Sequence, residues 1–302
     1  MANTIAVDEV LAGTPHFDTF CSVAKLHELV ERVRRDSRFS VRQAGTSVNG
    51  VPIHHIRFGD GAVKALVVGG PHAMEPIGSL AVYSLLSLLL DGAKGLTEAD
   101  VEWHVVPCID PDGALLNERW TQRKFSLESY VQGYFAQPRK RQVDFTFPIS
   151  HGKLVFDRPS VEAQVLKGII DGVLPDFFFS LHNLGFLGGA WCGVTRGIEA
   201  RFGDQIRELI GRHGLLVQPQ VTYSQTSFGP GIRELPTMKG YYDHLVAHGL
   251  KLHKELLGEV GATSLEYFIG VKPNAQTRSG KLITPSSIFG PSGPTARQSA
   301  RG

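Results

Sequence analysis

The chain has few cysteines, nearly balanced charge and no long uninterrupted hydrophobic segment. Its three cysteines, Cys21, Cys108 and Cys192, are odd in number and widely separated, which argues against a disulfide framework and favours reduced, buried thiols. Its 31 basic and 29 acidic residues leave a formal net charge of +2 over 302 residues. This composition gives no electrostatic reason to expect a nucleic acid or a membrane surface as a partner.

The N-terminus has neither the basic region nor the apolar region of a signal peptide, so we expect a soluble cytoplasmic protein. The length suits one large α/β domain better than two small ones. We place this domain at residues 22–271, after an irregular lead-in at 1–21 and before a flexible tail at 272–302, which is rich in Pro, Ser and Gly. The sequence leaves the oligomeric state open.

Hydrophobic periodicity predicts the elements of this domain. A helix follows Ser22, and the strands Phe39–Thr46 and 51–58 flank an Asn49-Gly50 hairpin turn. Further helices are expected after Pro76 and at 160–172, 198–213 and 241–248, and further strands at Val63–Val68, 101–107, 176–183 and 262–269. We expect 176–183 to be a buried central strand and most of 120–160 to be irregular.

The most informative segment is the turn after the strand expected at Val63–Val68. Residues 69–71 (Gly-Gly-Pro) break the strand, and Pro76 suits the start of a helix. His72 and Glu75 therefore fall in a strand-to-helix turn, where open α/β sheets usually bind their ligands. An imidazole and a carboxylate three residues apart can bind one zinc ion, which then needs a third ligand.

His182 is the natural third ligand, because it ends a strand that should neighbour the strand before His72. Two imidazoles and one carboxylate leave zinc with an open fourth position, where a bound water becomes acidic enough to act as a nucleophile. A nearby carboxylate must take the proton, and we choose Glu266 at the end of an apolar segment as this general base. The rival base is Glu234, which lacks a preceding apolar strand.

Five segments, read together, resemble the zinc carboxypeptidase family, including its amidase relatives and its aspartoacylase and succinylglutamate desuccinylase type deacylases. In chain order they are 45–53 (Gly-Thr-Ser-x-x-Gly-x-x-Ile), 69–78 (Gly-Gly-x-His-x-x-Glu-Pro-Ile-Gly), 107–113 (Pro-x-x-Asp-Pro-Asp-Gly), 180–183 (Ser-Leu-His-Asn) and 264–266 (Ser-Leu-Glu). Each motif alone is weak, but five in the family's order form a specific pattern. The resemblance covers residues 22–270.

The resemblance implies a single α/β domain with a mixed, mostly parallel twisted sheet flanked by helices on both faces. It implies one zinc ion per chain, bound by His72, Glu75 and His182, and Glu266 as the base. It also implies an arginine that stabilises the oxyanion, for which we prefer Arg119 and keep Arg123 open.

The chain also departs from the family pattern. True carboxypeptidases of the family bind the terminal carboxylate of the substrate with an Asn-Arg pair, whereas Phe145 stands in the place of that arginine here. Phe145, Arg123 and Asn183 are our candidates for substrate contacts. Four arginines remain open as replacements for the missing one: Arg139, Arg141, Arg196 and Arg233.

Three functions follow from these residues. The first is a zinc hydrolase that cleaves an amide bond in a peptide or peptide-like small molecule. The second is a zinc N-deacylase of an acylated amino acid, and the third is a degenerate, non-enzymatic member that binds a peptide or a protein. The first is preferred, because the three ligand types and a base are all present.

Overall fold

The computed structural model describes residue 10 and residues 12–183, 192–194, 200–216, 231–235, 237–252 and 258–272, to which every structural statement below refers. The strands are β1 (Phe39–Thr46), β2 (Pro52–Phe58), β3 (Val63–Val68), β4 (Val101–Val106), β5 (Ile149–His151), β6 (Leu154–Phe156), β7 (Phe177–Ser180), β8 (Cys192–Val194) and β9 (Ile232–Glu234). The helices are α1 (Val23–Arg34), α2 (Ile77–Leu90), α3 (Lys94–Thr97), α4 (Pro111–Thr121), α5 (Leu127–Gly133), α6 (Val161–Val173), α7 (Ala200–Arg212), α8 (Met238–Ala247) and α9 (Ser264–Val271).

The main sheet has the strand order β1-β2-β4-β3-β7. Strands β4, β3 and β7 are parallel to one another, while β2 is antiparallel to both β1 and β4. Four of the five strands therefore point in the same direction, and the prediction of a mixed, mostly parallel sheet is confirmed. The pairing of β7 with β3 brings together the two strands that precede His182 and His72.

Helices cover both faces of this sheet. Successive side chains of a strand point to opposite faces. Ala65 and Val67 accordingly pack in the cluster that includes α1 and α2, whereas Leu66 and Val68 pack in the cluster that includes α6 and α9. This arrangement confirms the predicted single α/β domain with flanking helices.

Most of the segment 262–269 belongs to helix α9, which begins at Ser264, so the prediction of a strand before Glu266 is wrong. Helix α9 begins after Thr263, whose side chain accepts a hydrogen bond from the backbone N–H of Glu266. Thr-x-x-Glu is the sequence pattern of a helix N-terminus, and this signal could have identified the helix. Phe268 then packs edge-on against Phe178 of β7.

None of the residues of β7 is fully buried, so the prediction of a buried strand is wrong, and among the described strands β7 lies at the end of the sheet and not at its centre. Phe179 in this strand is 44% exposed. The three consecutive phenylalanines of β7 suit a strand, but their composition does not distinguish an edge position from a central one.

Two further segments are more regular than expected. The segment that follows the strand predicted at 101–107 starts helix α4, because Asp110 caps it by accepting the N–H of Gly113 and Pro111 suits its first turn. The segment 120–160 contains α5 and the β5–β6 hairpin. These elements are too short for their hydrophobic residues to show a clear helical or strand periodicity in the sequence. None of the helices in the described part of the chain has the length and hydrophobicity of a membrane-spanning segment.

Candidate metal centre

The turn from β3 to α2 places His72 and Glu75 at the edge of the sheet where the parallel strands end. Gly70 adopts a positive φ of 62°, which glycine tolerates without strain. The loop after β4 lies against the same turn, because Ile109 donates its N–H to the carbonyl of Gly69. Both loops therefore meet at one sheet edge, where the C-terminal ends of parallel strands lie.

His182 reaches this edge two residues after β7. Leu181 donates its N–H to the carbonyl of Val68, so His182 emerges beside the turn that carries His72. The ring centroids of His72 and His182 are 4.9 Å apart. Helix α2 packs closely here, since a Cβ on Gly78 would collide with the carbonyl of Leu181.

Three side chains converge as a candidate metal site: His72, Asp144 and His182. One ligand atom from each lies within 4.8 Å of the others. The Nδ1 atom of His72 is buried and has no hydrogen-bond partner among the described residues. Two imidazoles and a carboxylate are donors that zinc prefers, and the unpartnered ring nitrogen is available to bind it, so the residues fit this metal.

His182 lies between two carboxylates. Its Nδ1 is 2.9 Å from an oxygen of Glu75, and its Nε2 is 2.9 Å from an oxygen of Asp144. Burial alone would lower the pKa of His182, but the hydrogen bonds with Asp144 and Glu75 raise it to about 10. Burial alone would likewise raise the pKa of Asp144, but its hydrogen bond with His182 and the nearby imidazoles lower it to about 2.

These shifts favour the charged forms of His182 and Asp144, whereas burial lowers the pKa of His72 and favours its neutral ring. To bind a metal, an imidazole must be neutral and a carboxyl group must be ionised. His72 is therefore ready to bind a cation, and His182 becomes ready when it gives up its proton.

Asp144 is the site residue that the sequence reasoning missed. It lies in a short 3₁₀ segment, Val143–Phe145, and is 4% exposed. Besides His182, its carboxylate accepts the backbone N–H of Ser264 just before α9. A single acidic residue among apolar neighbours was the available signal, because a buried carboxylate needs a partner.

Glu75 and Asn183 contact each other at the start of α2. A carboxylate oxygen of Glu75 accepts the N–H of Asn183, at 3.2 Å, in addition to facing His182. The side-chain oxygen of Asn183 accepts the N–H of Ile77 in the first turn of α2. This contact supports the helix start, while the predicted substrate role of Asn183 stays a prediction.

Glu266 is buried and bonded to backbone groups. Its two carboxylate oxygens accept the N–H groups of Met238 and Lys239 at the start of α8. It is not part of the cluster that the described residues form around His72. The rival base, Glu234, is in β9, which pairs with β8. Both assignments as general base stay predictions.

The two predicted arginines lie on or next to α4, the helix that follows the loop after β4. Arg119 is exposed on α4, and Arg123 is exposed just after this helix. Phe145 lies at the site, because its ring is stacked on that of His72 with centroids 5.6 Å apart. The guanidinium of Arg139 lies 5.7 Å from the centroid of the Phe145 ring.

Of the other arginines left open, Arg141 is exposed in a 3₁₀ segment. Arg196 and the side chain of Arg233 lie outside the described residues. Of these four arginines, Arg139 is thus the one that the structure places beside Phe145.

Comparison with solved structures finds distant similarities to metallocarboxypeptidases. A metallo-carboxypeptidase from Burkholderia cenocepacia is 18% identical, with a TM-score of 0.43 over 63% of this chain and 49% of that one. A metallo-carboxypeptidase from Pseudomonas aeruginosa in complex with (2-guanidinoethylmercapto)succinic acid is 20% identical, with a TM-score of 0.41 over 70% and 53%. Bovine thrombin-activatable fibrinolysis inhibitor, in complex with tick carboxypeptidase inhibitor, is 14% identical, with a TM-score of 0.49 over 85% and 97%.

The chain thus spans about half the length of the bacterial enzymes it resembles. No curated protein matches it. The zinc carboxypeptidase family model matches residues 26–129, the segment that contains His72 and Glu75. This match confirms, over that segment, the chain's resemblance to the zinc carboxypeptidase family.

Proposed function

We propose that the chain is a zinc-dependent hydrolase that cleaves an amide bond in a peptide or peptide-like small molecule. The observation that carries this proposal is the convergence of His72, Asp144 and His182, with one donor atom from each within 4.8 Å of the others. It lies at the sheet edge where α/β folds bind ligands. The family match over residues 26–129 supports the same chemistry.

His72, Glu75 and His182 are the proposed zinc ligands, and Asp144 is the competing carboxylate. The choice of Glu75 rests on its contact with His182 and on its place in the turn that carries His72. When bound, zinc would lower the pKa of a water molecule and polarise the carbonyl of the amide. Asp144 would then either orient the ring of His182 through a hydrogen bond with Nε2 of that ring or replace Glu75 as a ligand.

Glu266 is the proposed group that takes the proton of the attacking water and passes it to the leaving amine. Two observations support its position. It lies two residues after Ser264, whose N–H binds Asp144 in the metal cluster. Its carboxylate is also fixed in place by the N–H groups of Met238 and Lys239. A positioned carboxylate is what general base catalysis requires.

Arg119 is proposed to stabilise the negative charge that develops on the carbonyl oxygen, with Arg123 as the alternative. Both follow the loop that meets the His72 turn, and both are exposed and able to contact a substrate. A cation near the developing oxyanion lowers the energy of the transition state.

Phe145 favours a substrate without a free carboxylate beside the metal. Its ring stacks on His72 and offers no charge to bind a carboxylate. The N-deacylase of an acylated amino acid is the second candidate, and because its substrate carries a free carboxylate it would need a cation such as Arg139, beside Phe145, to bind that group. The third is a member that binds a peptide without cleaving it. A cytoplasmic location stays a prediction.

The first experiment is elemental analysis of the purified protein after dialysis against metal-free buffer, with His72→Ala as the matched variant. We expect about one zinc per chain in the wild type and at least a tenfold loss in the variant. Zinc absent from the wild type, with no hydrolysis after zinc is added, would contradict the enzyme hypothesis and favour the binding protein.

A substrate panel then distinguishes the two enzymes. Peptides with a free C-terminus, the same peptides with an amidated C-terminus and N-acyl amino acids would be compared by kcat/KM. We expect amidated peptides to be cleaved at least as fast as free ones, since Phe145 cannot bind a carboxylate. Preference for N-acyl amino acids would support the deacylase instead.

A further inference from the structure

Two histidines on the exposed face of α8 form a pair outside the candidate metal centre. His244 and His248 are four residues apart, and both are exposed. Residues at this spacing lie one above the other on a helix. Their ring centroids are 4.3 Å apart and their planes differ by 37°. Both imidazoles can therefore approach one ion from the same side.

The orientation of His248 leaves one ring nitrogen ready to bind. Its Nδ1 is 2.8 Å from the backbone carbonyl of His244. A carbonyl only accepts hydrogen bonds, so Nδ1 must carry the proton, and in the neutral ring the lone pair is on Nε2. Metal-binding histidines commonly have this arrangement, in which one nitrogen donates to a carbonyl and the other binds the ion.

The position on the helix also favours a cation. His244 lies in the last turn of α8, and His248 caps its C-terminal end. Carbonyl groups without helical partners give this end a partial negative charge. The carboxylate of Asp243, which precedes His244 in the chain, contacts Nε2 of His151 at 2.6 Å and is not counted among the ligands of this pair.

We propose that His244 and His248 form a second metal site, which binds a divalent transition ion such as Zn²⁺ or Cu²⁺ on the surface of α8. Two imidazoles bind more weakly than a complete set of three protein ligands, and water completes the coordination. The site fills only after the candidate metal centre. Its affinity should be higher for Cu²⁺ than for Zn²⁺, because imidazole sites follow that order.

Isothermal titration of Zn²⁺ into the full chain, loaded beforehand with one equivalent of Zn²⁺, tests this site. We expect a further binding event in the wild type and at least a tenfold loss of its affinity in His244→Asn and in His248→Asn. His213→Asn removes an exposed histidine from the end of α7 and should leave the event unchanged. The double variant His244→Ala/Ala247→His keeps the number of histidines but places them side by side in sequence, and it should also lose the event.

The result does not depend on the proposed hydrolase. If the candidate metal centre binds no zinc, the α8 pair still produces an event that His248→Asn removes. The proposal is overturned if the candidate metal centre binds the first equivalent of Zn²⁺ tightly and the wild type then binds no further Zn²⁺. It is equally overturned if the event persists in His248→Asn or in the double variant.

Discussion

At the scale of single residues, the central question is which carboxylate completes the zinc site. Glu75 faces Nδ1 of His182 and Asp144 faces Nε2, each at 2.9 Å. In the proposed zinc site one imidazole nitrogen would bind the ion, and the other nitrogen would keep its carboxylate partner. The two carboxylates would therefore have different roles, one as a ligand and one as a partner that orients the ring.

Zinc affinity measured on Glu75→Gln and Asp144→Asn separates these roles. We expect Glu75→Gln to lower the zinc affinity by more than about a hundredfold. Asp144→Asn should lower it by only about tenfold, the usual effect of losing a group that hydrogen-bonds to a metal ligand. Asparagine at 144 can still accept the N–H of Ser264, so the local fold should persist. The reverse order would identify Asp144 as the ligand.

The general base gives the second prediction at this scale. Glu266→Gln should lower kcat by roughly 10² to 10⁴ and leave zinc content unchanged, because glutamine cannot accept the proton. Glu234→Gln should have little effect on kcat. Steady-state kinetics and metal analysis of both variants make the comparison. A large loss of kcat in Glu234→Gln but not in Glu266→Gln would identify Glu234 as the base.

Glu266→Gln needs a control for stability, since its carboxylate also binds Met238 and Lys239. Thr263→Ala removes the cap of the same helix and should cost about 1 kcal/mol of unfolding free energy. If Thr263→Ala lowers kcat as much as Glu266→Gln does, the role of Glu266 is structural.

At the scale of elements, the contact between α2 and the end of β7 brings Glu75 to His182. Gly78 makes this contact possible, because any side chain there would meet the carbonyl of Leu181. The same contact lets Asn183 bind the start of α2 through Ile77. The geometry of the site therefore depends on how closely one helix packs on one strand end.

Gly78→Ala should destabilise the fold by about 1–3 kcal/mol, as overpacking usually does, and weaken zinc binding. Gly168→Ala in α6 is the matched control, because its Cβ would meet nothing within 4 Å. Alanine there should be neutral or stabilise by up to about 1 kcal/mol. Urea unfolding of both variants makes the comparison, and equal stabilities would show that the α2 contact tolerates a side chain.

At the scale of the whole molecule, a chain of hydrogen-bonded polar side chains, buried except for Arg42, crosses the sheet from β1 to β4. Arg42 donates to Nδ1 of His55, whose Nε2 lies 2.9 Å from Nδ1 of His104, and His104 in turn binds Glu102. Burial, with the nearby charges of His104 and Arg42, lowers the pKa of His55 to about 3. The folded state therefore keeps His55 neutral where the unfolded chain would protonate it.

This shift predicts that stability falls in acid. The contribution of His55 is fully present above its unfolded pKa, near 6.5, and is lost as the pH falls from there toward 3. Between pH 6.5 and 4.5 the loss should reach about 2–3 kcal/mol, at about 1.4 kcal/mol per unit. Urea unfolding at several pH values should show a flatter dependence for His55→Gln than for the wild type. Identical slopes would contradict the prediction.

Much of the fold could be predicted because its signals are local. Strands β1 and β3 have the expected bounds, since apolar runs and turn residues act over a few neighbours. The strand-to-helix turn of His72 and Glu75 could be identified for the same reason. Helix α9 was missed although Thr263 and Glu266 form a local signal, because its apolar residues also suit a strand.

The sequence by itself determined the order of most of the longer elements, the fold class and the presence of histidines and a glutamate at strand ends, because periodicity and turn chemistry depend on near neighbours. Only the tertiary structure decided that Asp144 joins His72 and His182. It also decided that the carboxylate of Glu266 binds the start of α8. Both contacts join residues far apart in the chain, and such contacts depend on how helices and loops pack against the sheet.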